Sequence, residues 1–290
     1  MPIYRDRYRR RSSTDSGDPG RVEGGLDVRG RAWAVIAAYG LRALTRRKPF
    51  IYLMIVAWIP TIVRGVQIYA SANFPQAAFL AITPQTFRDF LNQQELFVFF
   101  LTVYAGSGLI ADDIRSNALQ LYLSRPLTRA QYVAGKFVVL ATALAFVTWV
   151  PAMLLLIVEV LFAGSLSFVR NNLYLVPAIS VFSMIQIALA AFLMLALSSL
   201  SKSRWFVAVL YAGLGFFTQA VFAATRIATD GTSFSWIAVF GNLVQIGDVI
   251  FRLPPRYTTP PAVSAAVLAL LIGASIAVLG RRIRAIEVVT

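Results

Sequence analysis

Two long apolar runs constrain this chain more than any other feature. Leu173–Leu200 contains no charged residue, and Phe137–Gly164 contains only one, Glu159. Each run exceeds the roughly 20 residues that a helix needs to cross a bilayer core of about 30 Å. The whole chain is 58% hydrophobic and 14% charged, whereas soluble domains are about 45–50% apolar and about 25% charged. The sequence therefore predicts an all-α integral membrane protein.

Six apolar segments have the length and composition of membrane spans. They are Phe50–Tyr69, Glu95–Ala111, Phe137–Ala163, Leu173–Leu200, Trp205–Ala224 and Pro261–Gly280. A further apolar segment, residues 233–251, is interrupted by Asn242, Gln245 and Asp248. Its uninterrupted apolar run is too short to cross a membrane. We interpret it as a re-entrant or interfacial helical element on the outer face.

The distribution of Lys and Arg predicts the orientation. With the amino terminus inside, 21 of the 27 basic residues fall in inner segments and six in outer segments or at the outer end of a span. Positive residues are enriched on the cytoplasmic side of membranes. Counting residues 233–251 as a span would move the basic cluster at Arg281–Arg284 outside, against this bias. We therefore expect a multi-pass protein of the cytoplasmic (inner) membrane with both termini in the cytoplasm.

The amino-terminal region divides into two parts. Residues 1–30 are rich in Arg, Asp, Ser and Gly, which predicts a disordered cytoplasmic tail, and residues 31–290 form the six-span domain. Within residues 31–48, one helical face carries apolar side chains and basic residues lie off it. The apolar set is Trp33, Ile36, Ala37, Leu41 and Leu44. This pattern predicts an amphipathic helix along the inner membrane surface; the alternative is an extension of the first span.

The absence of Cys and His reduces the number of functions that this chain could have. The chain has no Cys and no His, so it lacks disulfides, thiolate metal sites and the commonest general base. We predict no catalytic, metal-binding or cofactor-binding residue, although a membrane enzyme remains a third alternative. The net charge of +14 would suggest a nucleic-acid partner for a soluble protein. Here the charges flank apolar runs, so we expect the lipid bilayer as partner and no nucleic acid.

The inner loop Asp112–Lys136 is the most informative segment. Asp112 and Asp113 can cap a short helix that runs through Leu119. Arg125-Pro126 then ends it, because the residue before a proline is disfavoured in the α region.

A second helix is predicted to start after this turn. Thr128 and Gln131 have the spacing of a capping box, and the helix leads directly into the third span. Such a lever can transmit force from a cytoplasmic partner; the alternative is a well-capped helix start with no partner. The candidate coupling residues are Asp112, Asp113, Arg125, Pro126 and Arg129.

Two ionisable residues lie inside predicted spans and form a candidate intramembrane polar pair. Arg64 is about 21 Å along its helix and Glu159 about 33 Å along its own, at 1.5 Å per residue. Both fall toward the outer leaflet. A proton or substrate role is one interpretation, and a structural ion pair or a snorkelling side chain is the other.

The inner loop resembles that of ATP-binding cassette (ABC) permeases of the type-2 exporter class. The matching motifs are Gly108-Leu109-Ile110-Ala111-Asp112-Asp113, Leu119-Gln120-Leu121-Tyr122-Leu123-Ser124-Arg125-Pro126-Leu127-Thr128-Arg129 and Gly135-Lys136. The basic helix ending in Arg46-Arg47-Lys48 and the ending Arg281-Arg282-Ile283-Arg284 are also similar to the family. The family often has Glu at Asp112 and Asp113 and Gly-Thr near Asn117-Ala118. The resemblance covers most of residues 31–290.

The resemblance implies a membrane subunit of an ABC exporter. It implies a dimer with a second permease subunit, identical or different, and two cytoplasmic ATPase subunits that carry the ATP and Mg²⁺. This chain has no P-loop, because Ala130 replaces the first Gly and Phe137 follows Lys136. The alternatives are an ion-coupled secondary transporter and a non-transporting membrane scaffold. The sequence argues against ion coupling because its one acidic residue deep in an apolar run, Glu159, is peripheral.

Overall fold

Helices form the regular structure of this protein. The computed structural model describes residues 28–74, 80–118, 128–163 and 167–287, and no strand occurs in these ranges. The helices are α1 (Val28–Thr45), α2 (Lys48–Ala57), α3 (Ile59–Asn73), α4 (Pro84–Gly106), α5 (Ala111–Arg115), α6 (Arg129–Ala145), α7 (Trp149–Ala163), α8 (Ser167–Asn171), α9 (Leu175–Leu200), α10 (Arg204–Thr229), α11 (Val239–Ile250) and α12 (Pro261–Glu287). The all-α prediction is confirmed, while most of the expected disordered tail, residues 1–27, lies outside the described residues.

Six helical segments are long and apolar enough to cross a membrane, as the sequence predicted. The first span is α2 with α3, the second α4 with α5, the third α6 with α7, and the fourth, fifth and sixth are α9, α10 and α12. Successive spans alternate in direction. One end of the bundle therefore carries α1, α5 and the turn between α9 and α10, and we name it the basic end. The other end, with α8 and α11, is the opposite end.

The first and third spans are each divided in two by a proline. Pro60 lies in the first turn of α3, and Pro151 lies near the start of α7. Because proline cannot donate a backbone hydrogen bond, the preceding turn tightens. At this turn the Trp58 N–H donates to the carbonyl of Ile55, three residues earlier, at 3.1 Å.

The fourth span is the centre of the bundle. It packs against the second, third, fifth and sixth spans, and Ser183 and Gln186 are buried along it. The first, fifth and sixth spans are buried over much less of their length. Large apolar side chains project from them, including Trp205 at 75% exposure and Ile227 at 85%. Such faces fit lipid or another apolar protein surface.

Helix α1 packs on the base of the third span. Ala37 and Leu44 on its apolar face are buried. Gly135 of α6 permits this contact, because an added Cβ would lie 2.8 Å from the Cβ of Ile36. The apolar face predicted from helical spacing is therefore partly covered by α6, and its position at the membrane surface stays a prediction.

The predicted outer element exists as a 3₁₀ turn, Ser235–Ile237, followed by α11. Its polar residues bond backbone carbonyls. Gln245 donates to the carbonyls of Tyr257 at 3.2 Å and Thr259 at 2.8 Å. Asn242 donates to the carbonyls of Trp236 and Ala238, both at 2.8 Å. These side chains thus stabilise the element that they seemed to interrupt in the sequence.

Candidate functional site

A serine of the fourth span fixes the start of the loop Asp112–Lys136, which we name the coupling loop after its predicted role. The fully buried Ser198 hydroxyl accepts the backbone N–H groups of Ile110 at 3.1 Å and Ala111 at 3.0 Å. It donates to the Ser107 carbonyl at 2.9 Å. The first backbone N–H groups of a helix have no hydrogen-bond partner within the helix. Ser198 supplies such a partner at the start of α5. The basic end of the second span is thereby joined to the fourth.

The first helix of the coupling loop is shorter than predicted. Ile110 is the cap residue of α5, and Asp112 and Asp113 lie in its first turn, where their charge favours the helix dipole. The helix was expected to reach Leu119, but α5 ends at Arg115. Asn117 then has a φ of 55°, in the left-handed region that Asn tolerates better than most residues. Asn117 can therefore take the backbone conformation that a Gly at this position would also allow.

Asp113 joins the two sides of the coupling loop. Its Oδ2 lies 2.6 Å from the Lys136 Nζ and accepts a hydrogen bond from the Tyr132 hydroxyl at 2.6 Å. Tyr132 is fully buried, and Asp113 and Lys136 are mostly buried. The segment that leaves the second span is therefore fastened to the base of the third span.

The second helix of the loop begins as the sequence predicted. The Thr128 N–H donates to the Gln131 Oε1 at 3.1 Å, and the Gln131 N–H donates to the Thr128 Oγ1 at 3.3 Å. This capping box is confirmed, and Arg129 is the first residue of α6. Arg125, Pro126 and the turn that contains them lie outside the described residues.

A cleft of about 490 Å³ opens beside the coupling loop at the basic end. It lies between α1, α5, α6 and the start of α10. Its charged lining residues are Arg47, Asp112, Asp113, Lys136 and Arg204. The cleft thus presents both positive and negative groups, and its volume is in the range that accommodates a small ligand or protruding side chains.

The candidate pair Arg64 and Glu159 is not brought together. Helices α3 and α7 pack against each other, but Arg64 donates to the Oε1 of Gln67 at 2.7 Å. No ion pair among the described residues joins it to Glu159, which is 8% exposed. The sequence estimated the depth of each residue but not the direction in which it faces.

The sequence analysis missed a buried ion pair at the opposite end. The Arg88 Nε lies 2.8 Å from the Asp248 Oδ1, and the two side chains are 0% and 1% exposed. Arg88 also donates to the Val244 carbonyl at 3.0 Å. This ion pair fastens α11 to the second span.

Two more charged residues surround this pair. Arg256 donates to the Asp89 Oδ1 at 2.7 Å, and its Nε lies 3.5 Å from the Asp248 Oδ1. The Arg256 backbone N–H donates to the other Asp248 oxygen at 3.2 Å. The loop after α11 therefore closes over the buried pair.

A second miss is Glu95, which the sequence analysis placed at the start of the second span. The span begins at Pro84, so Glu95 has eleven residues of helix on either side. Glu159 is therefore not the one deep acidic residue. The sequence held a usable signal, since Pro84 favours a first helical turn and apolar residues follow at helical spacing. These are Phe87, Phe90, Leu91 and Val98, all buried.

One comparison with known proteins gives a match. The model of the family described as ABC-2 family transporter protein matches residues 66–252, nearly two thirds of the 290 residues. The matched range includes the coupling loop and the Arg88–Asp248 pair, while Arg256 lies four residues beyond its end. No curated protein matches the chain. The described part of the chain also has no group of three or more acidic side chains that could hold a metal ion.

Proposed function

Because this chain belongs to the ABC-2 family of transporter proteins, we propose that it is the permease subunit of an ABC exporter. In this proposal, separate nucleotide-binding subunits bind ATP and Mg²⁺ and hydrolyse the ATP. This chain supplies the membrane path. Family membership accords with the type-2 permease expected from the inner loop. The lack of a P-loop motif in these 290 residues supports the proposal that a partner hydrolyses the ATP.

The attachment of the coupling loop carries this proposal. Ser198 ties the beginning of the loop to the fourth span, and Asp113 ties it to Lys136 and Tyr132 at the base of the third. A force applied to the loop is therefore passed to spans. A flexible, solvated loop would absorb the same force.

Two kinds of protein partner follow from this proposal. Cytoplasmic ATPase subunits dock at the basic end, where the charged cleft and Arg129 offer ionic contacts. A second permease subunit, identical or different, packs on exposed apolar surface such as that around Trp205 and Phe217. Lipid covers the remaining apolar surface.

The proposal places both termini in the cytoplasm and the basic end inside, and this orientation can be tested. The chain has no Cys, so single cysteines at Ser203 and Ser233 give a clean signal. Both residues are exposed, at the basic and opposite ends respectively. The Ser203 position should react with an impermeant maleimide in inside-out vesicles, and the Ser233 position in intact cells. Labelling of both from one side would contradict the six-span topology.

The energy source is the second test. The purified chain alone should hydrolyse no ATP, and the chain reconstituted with its cognate ATPase should support ATP-dependent transport. A Walker-lysine variant of that ATPase is the matched control and should abolish transport without preventing assembly. Transport driven by an ion gradient without any ATPase would overturn the proposal.

The position of Glu95 favours an ion-coupled secondary transporter as a second candidate. Such carriers use acidic groups near the membrane midplane, and Glu95 lies at the middle of α4, within the second span. The reconstitution experiment separates the candidates, because a secondary transporter would work with a proton or sodium gradient and no nucleotide.

A further inference from the structure

Glu95 is placed where an acidic side chain is costly. It lies about 16 Å from the start of α4 at 1.5 Å per residue, with eleven residues of that helix on either side. Its Oε1 is buried and has no hydrogen-bond partner among the described residues. Ionisable residues within membrane spans are rare, and each is by default a candidate functional site.

No cation of the described chain neutralises Glu95 directly. Arg88 is seven residues earlier on the same helix, about 10 Å along its axis. Its guanidinium is already held by Asp248 and the Val244 carbonyl. No ion pair within 4 Å reaches Glu95 in the ranges that the structure covers. The carboxyl group thus lacks a partner of opposite charge.

Glu95 lines two adjoining cavities between the second span, the fifth span and α11. The larger is about 300 Å³ and the smaller about 30 Å³. Apart from Glu95, their shared lining residues are Phe99 and Phe240, and Phe216 and Tyr257 line the larger cavity. Leu96 and Phe216 there are 57% and 62% exposed, so this cavity opens on the side of the helical bundle. We name it the Glu95 groove.

The chemistry of this lining selects one class of ligand. A metal ion needs several oxygen ligands, mostly carboxylates and carbonyls. The groove carries one negative charge, from Glu95, and its other polar side chains are the neutral Asn92, Gln219 and Tyr257 among apolar and aromatic residues. Aromatic faces attract organic cations, and a carboxylate in an apolar setting attracts a cation strongly because the dielectric screening is weak. An anion would be repelled by the carboxylate, and the neutral amides of Asn92 and Gln219 carry no positive charge to offset that repulsion.

We propose that the Glu95 groove binds a lipophilic organic cation, with Glu95 as its counter-charge and the aromatic residues as its walls. This inference rests on the proposed function, since it names the substrate class of a transport protein. The lateral opening lets such a ligand enter from the membrane.

The test measures binding of radiolabelled tetraphenylphosphonium to the full-length chain in nanodiscs, without ATPase or ATP. Tetraphenylborate has the same size and shape and the opposite charge. We expect saturable binding of the cation and at least tenfold weaker binding to the Glu95→Gln variant. The matched control is Glu159→Gln, which removes another carboxyl group of the spans and should leave the affinity unchanged. Phe216→Leu, at an exposed wall position, should weaken binding severalfold.

Thermal unfolding of each variant separates binding from folding. Because the Glu95 Oε1 has no partner, Glu95→Gln should not lower the unfolding temperature. An affinity of the Glu95→Gln variant within twofold of wild type would overturn the inference, and so would equal competition by tetraphenylborate. The assay contains no ATPase, so failure here leaves ATPase association and ATP-driven transport to be judged separately.

Discussion

Asp248→Ala is expected to destabilise the protein by roughly 3–5 kcal/mol, because it removes one partner of a fully buried ion pair. The Arg88 side chain is 0% exposed and would keep only the Val244 carbonyl and the partly exposed Asp89 as partners. The measurement is the thermal unfolding midpoint in detergent, which should fall by on the order of 10 °C. Loss of this pair would also remove the ionic contact between α11 and the second span.

Asp89→Asn is the matched control for this prediction. Asp89 belongs to the same network, but its side chain is 36% exposed and that of its partner Arg256 is 38% exposed. Exposed ion pairs contribute about 0–1 kcal/mol, so the midpoint should change little. The double variant Arg88→Met with Asp248→Leu should recover part of the loss, since it leaves no unpaired charge. An Asp248→Ala midpoint within 2 °C of wild type would show that the pair does not hold this end together.

The network at Arg88 shows why part of the fold could not be predicted from the sequence. Residues 85–95 are mostly polar, and a hydropathy window excludes them from a span. In the structure they are helical, and Arg88 meets Val244, which is 156 positions away in the chain. From composition alone, an Arg near the end of a span is expected to be exposed to water. Its burial depends on a distant partner that no local pattern reveals.

Other features were predictable because their cause is local. The Thr128–Gln131 capping box involves residues three apart, and the six spans follow from run length and charge. Residues 233–251 were predicted as a short helical element because their apolar run is too short to cross, and a 3₁₀ turn and α11 occur there. Their location on the outer face stays a prediction. Local patterns did not predict which way a side chain faces. Arg64 and Glu159 lie on helices that pack together and do not form an ion pair. Asp113 and Lys136, which the sequence analysis did not connect, do form one.

The Asp113 contacts also change how the coupling loop is understood. The sequence treated Asp113 as a helix cap and Lys136 as the end of a motif. The structure makes them one ion pair, with Tyr132 as a second donor to the same oxygen. The function of Asp113 is then separable from that of Arg125 and Arg129: Asp113 fastens the loop to a span, and the arginines are candidates to contact the ATPase.

Replacing Arg125 and Arg129 together with Ala is expected to weaken association with the ATPase subunits by about 30-fold or more. A charged anchor truncated within an interface costs about 2 kcal/mol or more, and each 1.4 kcal/mol is about tenfold in affinity. The measurement is ATPase pull-down from the same membranes, with the amount of inserted permease held equal. Deletion of residues 2–25 is the control and should leave association unchanged, because that segment is expected to be a disordered tail. Wild-type association of the double variant would show that these arginines are not the contact.

Asp113→Asn should give a different defect, and the difference tests the division of roles. The ATPase would still dock through the arginines, so pull-down should stay near wild type. The loop would be held less firmly to the third span because Lys136 loses its carboxylate partner, so less substrate should move for each ATP hydrolysed. Asp112→Asn is the matched control, since Asp112 lies beside Asp113 in α5, whereas Lys136 and Tyr132 contact Asp113. If Asp113→Asn instead abolishes association, docking and force transfer depend on the same contact and the two roles cannot be separated.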